Sequence, residues 1–131
     1  MIGAQAQGFN AQTAGVANIG DYSSVAASDA ALGATADYIR WKLTVHGQPL
    51  SGPVTLTSAG GPESRYPAGA HVTVDRVLGH RDVGKTACPG NDLYEQLDQI
   101  RSLVLSGTPF AAPSARVTAA LADYSASYGE L

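Results

Sequence analysis

The sequence predicts an α/β domain, a mixed β-sheet flanked by helices, and three observations carry that reading. Apolar residues recur at helical spacing over residues 29–46 and again over about 92–104. Short runs between those two segments alternate with the period of a strand. Most of the prolines and glycines fall between or just after these segments and punctuate them. With 131 residues, 44% of them hydrophobic and 15% charged, the chain has the size and composition of one globular domain with a buried core.

Each element can be justified in turn. Met1 to Asn10 is rich in Gly, Ala and Gln, with Gly8-Phe9-Asn10 as a turn signal. Gly15-Val16-Ala17-Asn18-Ile19-Gly20 reads as a short strand bounded by glycines, and Asp21-Tyr22-Ser23-Ser24 leads out of it. Ser28 is an N-cap type, Asp29 suits the first turn, and Leu32, Ala36, Ile39 and Leu43 form a stripe ending at Gly47. A helix from about Asp29 to His46 follows, with Trp41 expected in the core. Val54-Thr55-Leu56-Thr57 and Ala70-His71-Val72-Thr73-Val74 alternate around a long Gly/Pro loop, and Val77-Leu78 is expected to end a strand. Asn91 or Asp92 can cap a second helix, with Glu95 completing a capping box, and Leu93, Leu97, Ile100 and Val104 make its stripe before Gly107 and Pro109. Residues 1–106 are therefore expected to form the domain. Residues 107–131 are expected to be a linker leading into a further domain, or else a disordered tail.

Bulk properties exclude several functions. A net charge of −3 and a pI near 5.4 lack the basic stripe of a nucleic-acid binder. No apolar run approaches the roughly 20 residues of a membrane span. Met1-Ile2-Gly3-Ala4-Gln5 has neither the basic region nor the apolar core of a signal peptide. A single Cys excludes an internal disulfide framework and leaves the compartment open.

The chemistry concentrates in Leu78-Gly79-His80-Arg81-Asp82-Val83-Gly84-Lys85-Thr86-Ala87-Cys88-Pro89-Gly90. Imidazole nitrogen and thiolate sulfur are ligand types that tetrahedral zinc takes at about 2.0–2.3 Å. Asp82 is placed to orient the His80 ring as an outer-shell carboxylate, and Pro89 stiffens the loop after Cys88. The plainer reading is a satisfied loop histidine beside a small buried thiol. A Cys–His nucleophile pair is the rival chemistry, and Pro89 counts against it by removing a possible oxyanion donor. His46 at a helix end and His71 in an alternating strand read as structural, and Arg65-Tyr66-Pro67 reads as loop packing.

Gly79-His80-Arg81-Asp82, then Thr86-Ala87-Cys88-Pro89-Gly90, then Leu93-Tyr94, Leu97 and Ile100-Arg101 resemble the end of the peptidoglycan recognition protein family. That family shares its fold with the type 2 N-acetylmuramoyl-L-alanine amidases. Gly3 to Asn10 and Gly15 to Tyr22 match the middle of the same domain, so the resemblance spans about Ile2 to Val104.

The resemblance implies an amidase-like fold, Zn2+ as cofactor, peptidoglycan or a muropeptide as partner, and a secreted or cell-wall location. His80 and Cys88 match two of the family's three zinc ligands, and Thr86 matches a position that stabilises the oxyanion. Asn10, Gln5 and Arg81 are the residues expected to face the muramyl peptide. The bond cut would be the amide joining the lactyl group of N-acetylmuramic acid to the L-alanine of the stem peptide. The family's first strand, with its third zinc ligand, and a catalytic Tyr find no counterpart, so the chain is expected to be an N-terminally truncated domain. Its unpaired sheet edge is expected to favour self-association. A non-catalytic peptidoglycan-binding module and a fragment completed by another chain are the alternative readings.

Overall fold

The computed structural model describes residues 2–107. The architecture is mixed α/β: a small two-stranded antiparallel sheet and four α-helices, preceded by one turn of 3₁₀ helix at Asn10–Gln12. The strands are β1 (Pro53–Thr57) and β2 (His71–Asp75), and the helices are α1 (Asp29–Val45), α2 (His80–Val83), α3 (Asn91–Glu95) and α4 (Leu97–Ser106). The expected tail from residue 108 onward lies outside the described residues.

Helix α1 forms where local signals agree. The Ser28 side chain accepts from Ala31 N at the N-terminus, and Asp29 occupies the first turn. At the other end Gly47 takes φ +61, a left-handed conformation that L side chains rarely adopt. There Gly47 N donates to Thr44 O and Gln48 N to Leu43 O, the paired bonds of a Schellman stop. Leu32, Thr35, Ala36 and Arg40 are the buried residues. Trp41 corrects its expected core position. It lies on the outer face, 42% exposed, beside Tyr38 and under the Lys42 ammonium.

The second helical stretch is two helices that meet at Gln96. Its Oε1 accepts from Ala27 N at 2.8 Å and its Nε2 donates to Ala27 O at 3.1 Å, tying the break to the segment before α1. The N-cap is Gly90 rather than Asn91 or Asp92, whose expected capping box is absent; the Asp92 N–H is spent on Tyr22 O at 3.1 Å.

The sheet pairs Pro53 with Asp75 through Thr57 with His71. Its side chains alternate: Leu56 and Val72 are buried and Val54 and Val74 half-buried on one face, while the threonines, His71 and Asp75 are exposed on the other. Three expectations are corrected here. Among the described residues the sheet has only antiparallel pairing, so it is not mixed. Gly15–Gly20 is not a strand, since no segment among the described residues pairs with it, and Val16 and Ile19 face solvent. Val77-Leu78 does not end a strand. Arg101 Nε and Nη2 both donate to Val77 O, so a side chain occupies the place of a ladder partner.

Two apolar clusters result. One joins α1 to α3 and α4 through Ala27, Leu32, Ala36, Val77, Leu93, Leu97, Ile100 and Val104. The other lies under the sheet, where Ala6 and Phe9 meet Leu56, Val72 and Val83. The connection from β2 through α2 to α3 runs between them and carries His80 and Cys88.

Candidate metal centre

Helix α2 begins at Gly79, which supplies no capping side chain, so the cap is Asp82 reaching back: Gly79 N donates to Asp82 Oδ2 at 2.8 Å. The other carboxylate oxygen, Oδ1, accepts from the Tyr94 hydroxyl at 2.5 Å. The Asp82 side chain thus joins α2 to α3, and neither of these two bonds is to the His80 ring, which Asp82 was expected to orient. The carboxylate acts in turn on the phenol. Its hydrogen bond, and secondarily burial, hold the Tyr94 pKa above the ordinary 10.0.

His80 opens α2 and is half-buried. Its ring lies on Gly84, where a Cβ would stand 2.7 Å from Nε2, so only glycine permits this seat. The loop then closes on itself. Arg81 N donates to Cys88 O at 3.0 Å, bringing the main chain of Cys88 beside the first turn of α2. Thr86 Oγ1 accepts from Cys88 N at 3.1 Å, and Gly90 N donates to Ala87 O. Cys88 is exposed, contrary to the small buried thiol of the plainer reading, and its bond to Pro89 is cis.

Arg81 serves the loop as well. Nη1 donates to Asn91 Oδ1 at 3.0 Å, Nη2 bonds Ala87 O, and the guanidinium lies 4.7 Å from the centre of the Tyr94 ring. Its Nε is buried and has no hydrogen-bond partner among the described residues. Arg81 and Thr86, expected to face substrate, are therefore the residues that tie Cys88 into place.

Cys88 lines a cavity of ≈ 260 Å³ with Gly20, Asp21, Tyr22, Ser23, Ala87, Pro89 and Gly90. The two walls are in close contact. At Gly90, φ +97, a Cβ would lie 2.4 Å from the Tyr22 main chain. Asn10 and Gln5 are placed elsewhere, in their own turn. Asn10 Oδ1 accepts from Ala6 N at 2.7 Å, and Gln5 Nε2 donates to Thr13 O at 2.7 Å and Asn10 O at 3.2 Å. This is turn chemistry, and it makes no hydrogen bond to the loop of His80 and Cys88.

Tyr22 and Tyr94 are the site residues that sequence reasoning passed over. Tyr94 lies next to Leu93 in an apolar stripe, and nothing local marks its hydroxyl as the partner of a carboxylate twelve positions earlier.

Among the described residues no group of three or more His, Cys, Asp or Glu side chains is gathered where it could hold a metal ion. His80 and Cys88 supply two donors of the right chemistry. A catalytic zinc takes three and leaves one position for water, so these residues alone do not fit it. Comparison with known proteins found no matching family model, curated protein or solved structure.

Proposed function

We propose that this chain forms part of the substrate cleft of a zinc-dependent peptidoglycan amidase domain, acting on the amide between N-acetylmuramic acid and the L-alanine of the stem peptide. The observation that carries the reading is the closed loop. The bond from Arg81 N to Cys88 O holds the main chain of Cys88 against the first turn of α2, which His80 opens, and Cys88 itself is exposed and lines a cavity. Thr86, bonded to the Cys88 N–H, is the nearest hydroxyl to that thiol in sequence, and Asp82 keeps α2 docked on α3. Such a substrate would put the protein at the cell wall.

The two-donor set favours a second reading, a module that binds muropeptide without cutting it. One set of measurements separates them. Titration calorimetry should show zinc binding that His80→Ala and Cys88→Ser each weaken by at least about tenfold, as loss of a ligand requires. A muramyl-pentapeptide should bind, with or without release of its peptide seen by chromatography. Binding with release supports the amidase, binding without release supports the recognition module, and no binding of either zinc or muropeptide rejects both.

A further inference from the structure

We propose that the outer edge of β2 is a self-complementary pairing surface, and that its partner is a second copy of this chain aligned antiparallel about Thr73. The ladder determines which main-chain groups are free. Ser58 N donates to Ala70 O and Arg76 N to Gly52 O, so the even-numbered residues of both strands turn their main chains toward each other. His71, Thr73 and Asp75 consequently direct their N–H and C=O groups away from β1. Among the described residues nothing else bonds those groups, and all three residues are exposed. The opposite edge is different. Pro53 has no N–H, and the Gln12 carboxamide takes Thr57, donating to Thr57 O at 2.7 Å and accepting from Thr57 N at 3.1 Å.

The five residues of β2, His-Val-Thr-Val-Asp, suit a two-fold axis through Thr73. In that register the free groups of His71 meet those of Asp75 in the second copy, and the two Thr73 residues meet each other, each pair exchanging two hydrogen bonds. An imidazole then stands opposite a carboxylate at both ends on the exposed face. Asp75 is free enough to take part, its side chain 52% exposed and 3.6 Å from Arg101 Nη2. On the other face Val72 of one copy falls opposite Val74 of the next. Val74 lines a cavity of ≈ 390 Å³ beside β2, together with Tyr66, Asp82 and Tyr94. A register shifted by one residue would face occupied groups instead of free ones. The pairing makes a four-stranded sheet from two copies, and it does not depend on the metal reading.

The test is sedimentation velocity of the full chain over a concentration series, with reductant present so that Cys88 cannot cross-link and with chelator present to separate the result from zinc. The expected mass rises from 13.4 kDa toward twice that value. Thr73→Pro removes an outward N–H without touching the ladder to β1, and should leave a monomer with unchanged circular dichroism. His71→Glu sets like charges opposite Asp75 twice and should weaken dimerisation by about tenfold, while H71E/D75K should restore it. A chain that stays monomeric up to millimolar concentration overturns the proposal. So does a dimer that His71→Glu leaves unweakened, a readout that holds even if Thr73→Pro fails to fold.

Discussion

Asp82 shows how far a single residue can be read from its neighbours. Its place two positions after His80 reads as that of a carboxylate orienting the ring, whereas in the structure it caps α2 by accepting from Gly79 N. Tyr94, whose hydroxyl donates to its other oxygen, becomes a neighbour only after the chain has turned through Pro89 and Gly90. Arg81 and Thr86 were legible as residues of the site but not in their function, because a bond to Ala87 or Cys88 depends on how the loop closes. Tyr94→Phe should therefore cost about 1–2 kcal/mol in urea unfolding at neutral pH, by leaving Asp82 Oδ1 without its donor. The pH dependence has a definite sign. A phenol held above 10.0 binds its proton more tightly when folded, so its contribution is complete below that pH and is lost as pH rises through the folded value. The stability advantage of the natural protein over Y94F should shrink in unfolding curves taken above about pH 10.

Among the elements, α1 was the most legible, because every signal for it is local: Ser28 before it, Asp29 in its first turn, Gly47 after it. Ser28→Ala should lower stability by about 0.5–2 kcal/mol in chemical denaturation, with Ser28→Gly milder. The hairpin strands were legible from alternation to within a residue of their ends. What escaped the pattern was decided by partners distant in sequence. Gln96, where the second helix divides, bonds Ala27, and Arg101 occupies Val77 O where a strand partner was expected. The segment 15–20 has strand-like alternation but nothing to pair with, and alternation alone does not make a ladder. At the end of α1's buried face, Arg40 donates to Val104 O and Leu103 O, so a buried cation serves the last turn of α4.

For the whole molecule, the α/β class was readable from two periods in one chain, whereas the sheet is smaller than that class suggested. The two apolar clusters meet along the β2–α2–α3 connection, so the fold itself brings the His80 turn and Cys88 together. The Gln12 carboxamide on Thr57 also limits how far molecules can join. With Pro53 lacking an N–H and Thr57 taken, Thr55 alone keeps both pairing groups open on the β1 rim, so a subunit joined through β2 is expected to stop at a pair. Gln12→Ala should unstop that rim, and species heavier than a dimer should then appear by light scattering at high concentration.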